Sequence, residues 1–427
     1  MQQRADSWMD VVDAISCCPR VSSPVALSEE RPVFRRHFSS VYDVLRHAHF
    51  DEAALRDVLY RSLPPDCQVV AGYAWYVLDA TFFERAEAKT LQDRRCVRPG
   101  VDAAVQYGHT YSWLVRLVEP GTSWVAPLDV ERVPSQQTDT QVGRTQVKRL
   151  PKAEPEGPEI AVMADGSYGN AKFLGVLDEV SQMAVLVRLR HNRVLYEAPP
   201  PRQPHQQGAP RKHGDRFPLS APPRDPEDQA EQVLSDGRTL RVSVWRHLHL
   251  RDLAKHPGTL VRLELLRADG QPCYKRPVFV FWTGRAEVPG LVLGQMYLGR
   301  FGIAHGFRFF KQQLGLNRCR STDLPSLRHW IWCCVLAYWQ LLLLRHEQLH
   351  RPAWYPQRPS QPAGGNTPRL VQRNAARFLA QIGTPARAPK PSGKGIGRPR
   401  GYHPPPRMRY PTVLTRRQKA ALVAKSV

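Results

Sequence analysis

Apolar residues recur three or four positions apart through the first 65 residues. In the segments that follow they run alternately or continuously. Ser40-Val-Tyr-Asp-Val-Leu-Arg46 and Asp51-Glu-Ala-Ala-Leu-Arg-Asp-Val-Leu-Tyr60 each open on a capping-type residue and keep helical spacing. Residues 1 to about 65 are therefore expected to be helical. Short β-rich runs follow at 73–78, 110–118, 123–127, 160–164 and 183–189, separated by turn residues and helical stretches. This alternation predicts a mixed α/β core.

From about 198 to 228 the chain fills with Pro, Gln, Arg and His, a composition too polar to form a core. Strand patterns resume at 240–245, 259–265 and 277–282, predicting a β-rich insertion. Two helices are expected after it, at about 295–313 and 323–346. Beyond Arg351 the sequence is Pro-rich and basic, with one helical pattern near 370–382. The rest of that tail is expected to be disordered when free. No internal repeat is present.

Charge sharpens this outline. In 427 residues Lys and Arg number 61 against 38 Asp and Glu, a formal net charge of +23. No acid occurs after Glu347, while Lys and Arg continue through the tail. A surplus of one sign concentrated in an arm favours a polyanionic partner, nucleic acid ahead of an anionic membrane. The apolar run at 330–344 holds fifteen residues broken by Gln340. A bilayer span needs roughly 20, so a buried helix is expected and no membrane association. Eight cysteines include no Cys-x-x-Cys pair and two adjacent doublets, the pattern of reduced thiols rather than a disulfide framework. The first residues lack the apolar stretch of a signal peptide. A cytoplasmic protein is expected.

Candidate chemistry begins with two carboxylates. Asp79 ends the apolar run Tyr73-Ala-Trp-Tyr-Val-Leu-Asp79, and Asp165 ends Ile160-Ala-Val-Met-Ala-Asp165. Gly166 and Gly169 after Asp165 would allow a metal or phosphate to approach the backbone. Acids at two strand ends suit a two-metal phosphodiester site, in which Mg²⁺ or Mn²⁺ accepts a few carboxylates plus water and substrate phosphate. Such a site normally has a third carboxylate.

Residues 297–311 read Tyr297, Arg300, Ala304 and Lys311. They resemble the Tyr-x2-Arg-x3-Glu-x6-Lys signature of one branch of DDE insertion-sequence transposases, with Ala304 at the third-acid position. Upstream, Leu78-Asp79-Ala-Thr, Arg85, Ala88-Lys-Thr90 and Asp93-Arg94 resemble that family's first-acid region. Gly108-His-Thr-Tyr111-Ser112 and Thr122-Ser-Trp124 to Asp129 resemble the next strands, and Ala164-Asp165-Gly-Ser-Tyr168 the second-acid turn.

The resemblance covers most of the chain from about residue 30. It implies an α/β fold: a ribonuclease H-like core with an inserted β-rich subdomain, a helical N-terminal region and a disordered basic C-terminal tail. The corresponding boundaries are 1–65 for the N-terminal helices, 66–197 for the first part of the core and 198–290 for the linker and insertion. The core's C-terminal helices fall at 291–350 and the tail at 351–427. By the same resemblance Asp79 and Asp165 are metal ligands, and Tyr297, Arg300 and Lys311 position DNA. The implied activity is metal-dependent cutting and joining of transposon ends. The implied partners are double-stranded DNA and, once DNA is bound, a second copy of the chain, in a bacterial, nucleoid-associated setting.

Ala304 opens an alternative, a catalytically dead relative that only occupies transposon ends. A methyl group cannot bind a cation, His305 points about 100° away on a helix, and Glu287 could reach in only by rearrangement.

Three other patterns carry less. His346-Glu347-Gln-Leu-His350 fits a zinc-peptidase motif, but no acid follows it, and Ala353 and Pro356 stand where the extended motif needs Gly and His. His247 and His249 are expected on one polar strand face. Gly397-Arg398-Pro399-Arg400-Gly401 resembles an AT-hook core, which would place Arg398 and Arg400 in an A·T minor groove.

Overall fold

The computed structural model describes residues 4–30, 33–97, 104–119, 122–150, 157–202, 208–347, 349, 366–391, 397 and 399–414. Its centre is a mixed sheet of eleven strands. Strand β1 (Val69–Val70) pairs with the start of β2 (Tyr73–Glu84). The long β2 then lies antiparallel to β4 (Gln106–Leu117). The outer edge of β4 is shared by β3 (Arg95–Val97) and β5 (Val125–Val133). On its other side β2 runs parallel to β6 (Glu159–Ala164), which runs parallel to β7 (Met183–Leu189). The crossovers are helical: α4 (Asp139–Val147) leads into β6, and α5 (Ala171–Leu174) with a 3₁₀ turn leads into β7. This order, β5-β4-β2-β6-β7, is compatible with a ribonuclease H-like core.

The apolar pattern explains the placement. Residues Ala74 to Leu78 of β2 and Ala161 to Ala164 of β6 are all fully buried. A strand covered on both faces needs a continuous apolar run rather than alternation. Helix α4 begins with a reciprocal cap, Thr138 Oγ1 accepting from Gln141 N while the Gln141 side chain accepts from Thr138 N.

The β-rich insertion is not a separate layer. Strands β10 (Asp228–Val233), β11 (Thr239–Leu248), β12 (Gly258–Leu266) and β13 (Val278–Trp282) form an antiparallel run, and β13 pairs with β7 from Phe279↔Leu189 to Trp282↔Leu186. The expected subdomain instead extends the core sheet. Its backbone groups complete the edge that β7 would otherwise leave open. Part of the expected linker is also structured: β9 (Arg216–Pro218) pairs with β8 (Val194–Tyr196), and Phe217 is fully buried.

The N-terminal helices α1 (Ala5–Cys17) and α2 (Ser39–His47) pack on the last helices, and α3 (Glu52–Arg61) lies on β5. Asp51 caps α3 by accepting from Ala53 N at 2.8 Å. The single helix expected at 295–313 is two: α6 (Gly290–Gly299) and α7 (Phe301–Gln312), meeting at Arg300. The joint keeps helical dihedrals but tightens, with Ile303 N donating to Arg300 O. Gly299 and Gly302 flank it and weaken helix continuity.

Helix α8 (Leu324–Leu343) contains most of the long apolar run, buried between α1, α2, β5 and α9 (Pro368–Ile382). Among the described residues no helix is long and apolar enough to cross a membrane. The one helix expected in the tail, near 370–382, is present. Helix α9 packs on α1 and α8, and residues 410–413 lie along the first-acid region, Tyr410 N donating to Lys89 O and Val413 N to Arg94 O.

Candidate active site

Leu78 of β2 is in register with Ala164 of β6, so Asp79 and Asp165 follow a matched pair on adjacent parallel strands. Strands in a sheet lie about 4.8 Å apart, which brings the two acids side by side. Asp79 does not end its strand, as the apolar run suggested. β2 continues to Glu84, because Ala80–Glu84 still pair with β4. Asp165 does end β6. Its Oδ1 accepts from Ser167 N at 2.8 Å and Ser167 Oγ at 2.5 Å, closing the turn.

Asp79 accepts from the Ala80 N–H at 2.8 Å, and its other oxygen accepts from Arg300 Nη1 at 3.2 Å. Burial pushes its carboxyl up to about 6, with Asp165 adding to the rise while Arg300 and the Ala80 N–H oppose it. The site therefore holds two neighbouring carboxyl groups beside the Arg300 guanidinium.

Arg300 also lies over the Tyr297 ring at 5.4 Å and the Phe301 ring at 5.5 Å. The Tyr297 hydroxyl and Arg300 Nε are buried without a hydrogen-bond partner of good geometry. Lys311 donates from Nζ to Phe82 O at 3.3 Å, three residues along β2 from Asp79, and burial lowers its pKa. Of the expected residues, Arg300 and Lys311 thus reach the strand of Asp79, while Tyr297 lies against Arg300.

Ala304 is exposed. At about 100° per residue, Ala304 lies about 40° and Lys311 about 20° round from Arg300. Within α7, Ala304 lies on the same side as Lys311, whose Nζ reaches Phe82 O of β2. Glu287 does not substitute for a third acid. Its charge acts on Arg285, which bonds Tyr73 Oη, and Tyr73 lies six residues up β2 from Asp79, roughly 20 Å along a strand. Among the described residues no group of three or more acids, His or Cys could hold a metal ion.

Arg188 was not anticipated. Ala164 pairs with Val187, so Arg188 follows that pair as Asp165 follows its own. Its charge, with those of Arg300 and Asp165, acts on the Tyr297 phenol, although burial is the largest influence and raises that pKa. The sequence signal was a single Arg near the end of an otherwise apolar strand.

Gly169 also reads differently in three dimensions. A Cβ there would meet Arg188 O at 2.4 Å, so its bareness packs the second-acid turn against β7. It does not open the backbone to a ligand. Gly166 has only one neighbour, Arg188 O at 3.8 Å.

The other patterns separate from this site. His346 Nε2 bonds Asp66 Oδ2 at 2.8 Å, and Arg345 pairs with the same carboxylate. His350 lies outside the described residues. His247 and His249 do not share a polar face. A bulge between Trp245 and Leu248 gives His247 a φ of 58° and leaves it exposed, whereas His249 is buried with His213, ring nitrogens 2.9 Å apart. Arg398 lies outside the described residues. Arg400 is exposed on a turn closed by Tyr402 N to Pro399 O and does not join the carboxylates.

The family model for DDE superfamily endonucleases matches residues 1–257, which include Asp79, Asp165 and Arg188. The chain belongs to this family. No curated protein sequence matches it. Membership makes it a nuclease- or transposase-type protein with DNA as its substrate, and DDE superfamily endonucleases generally use divalent metal ions. The 297–311 stretch falls beyond the matched residues.

The carboxylates fit such an ion in part. Asp79 and Asp165 offer hard oxygen donors on adjacent strands, and a cation would relieve the burial that lifts the Asp79 pKa. Two carboxylates plus water and phosphate suffice for one Mg²⁺. They fall short of a full three-acid set.

Proposed function

We propose that this DDE superfamily endonuclease acts on the ends of an insertion sequence, hydrolysing the phosphodiester at each end and joining the freed 3′ ends to target DNA by transesterification. The observation that carries the reading is the placement of Arg300 on Asp79, with Asp165 alongside, the Tyr297 ring against the same guanidinium and Lys311 reaching Phe82 O further along β2. Asp79 and Asp165 hold Mg²⁺ or Mn²⁺, which when bound activates the attacking oxygen and stabilises the leaving one. Arg300, Lys311 and Arg188 supply positive charge for phosphates. The buried Tyr297 hydroxyl and Arg300 guanidinium lie against each other next to Asp79. Contacts of these types orient the backbone without reading bases. Pairing two ends requires a second copy of the chain.

Ala304 favours a second reading, in which the same apparatus grips transposon ends and cuts them weakly or not at all. Duplexes carrying the inverted repeats that flank the gene separate the two. Incubated with Mg²⁺ or Mn²⁺, the natural chain is expected to cleave slowly and Ala304→Glu much faster, while Asp79→Asn abolishes cleavage in both. Binding without any cleavage by the natural chain, restored by Ala304→Glu, would establish the inactive form. Cleavage that survives Asp79→Asn would remove these carboxylates from the chemistry.

A further inference from the structure

Two clefts open next to the Lys311 end of the site and share one wall. The first, about 920 Å³, is bounded by Phe82–Ala88, Lys311 and the loop after α7. The second, about 890 Å³, continues past that loop to Arg46 and to the tail residues Arg407, Met408 and Tyr410. Thr90, Arg318, Arg320 and Thr322 line both, so the two form one continuous groove leading away from Asp79.

The tail is fastened across the far part as a strap. Arg407 Nη1 donates to Thr322 Oγ1 at 3.2 Å and Gln92 Nε2 to Tyr410 Oη at 2.8 Å, while Arg94 Nη2 reaches Tyr410 O at 3.2 Å. Arg46, Arg318, Arg320 and Arg407 have no carboxylate partner among the described residues. The acids on the walls are few. Asp323 is committed to capping α8 through Ser326 N at 2.8 Å, and Glu84 and Glu87 stand exposed at the outer rim of the first cleft.

We propose that this strapped groove carries the duplex flanking the cut phosphodiester, held through its phosphates by Arg318, Arg320 and Arg407. The inference rests on the reading of Asp79 and Asp165 as the cutting site, since that fixes which end of the groove is inner. Guanidiniums without a carboxylate partner that line a channel beside a DNA-cutting site match a polyanionic backbone, and phosphate contacts make the grip independent of sequence. The tail thus acts through a fixed position on the first-acid region, and Arg407 is the residue by which it touches the DNA.

The test is the salt dependence of binding to duplexes of unrelated sequence, followed by fluorescence anisotropy with the full-length chain and no metal. For the combined Arg318→Gln, Arg320→Gln, Arg407→Gln variant, the slope of log K against log salt is expected to fall by up to about 3, at roughly 0.9 per lost phosphate contact. The combined Arg251→Gln, Lys255→Gln, Arg267→Gln variant removes the same charge from the exposed surface of the inserted strands and is expected to change the slope far less. Replacing the three groove arginines by Lys instead is expected to restore most of the slope, which rules out misfolding as the cause. An unchanged slope in the groove variant, or an equal fall in the control, overturns the proposal. Cleavage lost in Asp79→Asn while the slope stays at the wild-type value bears on the cutting site alone, so the two readings fail separately.

Discussion

Arg300 reaches Asp79 from the joint between two helices, Nη1 to Oδ2 at 3.2 Å, across 221 residues of sequence. The carboxylate is mostly buried and the guanidinium more so, with side-chain exposures of 23% and 12%. Breaking such a pair leaves an uncompensated charge, which costs more than the pair itself contributes. Arg300→Gln is expected to lower stability by about 2 kcal/mol, at the low end for an ion pair because Asp79 keeps some solvent. In an Asp79→Asn background the same change should cost little. A denaturant double-mutant cycle measures the coupling, and additive effects would show that the pair is incidental.

Ala304 lies about 20° round α7 from Lys311, which reaches β2. Ala304→Glu places a third carboxylate toward Asp79 and Asp165 with little steric cost at an exposed helical position. Binding of Mn²⁺, read by calorimetry without DNA, is expected to tighten at least tenfold. Cleavage should rise with it. No change in Mn²⁺ affinity would mean that position 304 does not point where the helical geometry directs it.

His109 sets a pH response. Burial lowers its pKa to about 4, opposed by its bond to Gln92 O at 2.8 Å. An unfolded histidine titrates near 6.5. Between those values the unfolded chain binds the extra proton, so stability contributed by neutral His109 is full above pH 6.5 and is lost as pH falls toward 4. His109→Gln is expected to flatten the fall by up to about 3 kcal/mol between pH 7 and pH 4. Thermal unfolding at a series of pH values tests this. Parallel curves for the two proteins would contradict it.

Gly169 holds the second-acid turn against Arg188 O. Gly169→Ala forces a Cβ to within 2.4 Å of that backbone oxygen, so the turn must move. A loss of about 2 kcal/mol in stability is expected, as for overpacking elsewhere. Metal affinity should weaken with it, because Asp165 belongs to the same turn. Gly166→Ala, with its one neighbour at 3.8 Å, is the matched control and should be much milder.

The longer strands were legible in part, whereas the short strands β1, β3, β8 and β9 and the polar β10 carried no readable pattern. β7 was read at its observed bounds, and the buried middle of β2 announced itself as a continuous apolar run. Less legible were features that arise from pairing. The end of β2 is polar and mixed, Ala80 to Glu84, and only its ladder with β4 shows that Asp79 is mid-strand. Arg188 looked like an ordinary strand residue until β6 and β7 were placed in register. The histidine pair could not be named correctly, because a one-residue bulge at 245–248 reassigns which side chain turns inward.

The sequence by itself determined the mixed α/β class and the two acids that follow apolar runs, because local pattern and residue chemistry suffice for each, and it set Ala304 where the family resemblance expects a third acid. Only the tertiary structure decided that the inserted strands extend the core sheet, that Arg300 closes on Asp79, and that the tail straps a basic groove. Those depend on contacts between segments far apart in the chain, where backbone groups and charges find partners that no local pattern specifies.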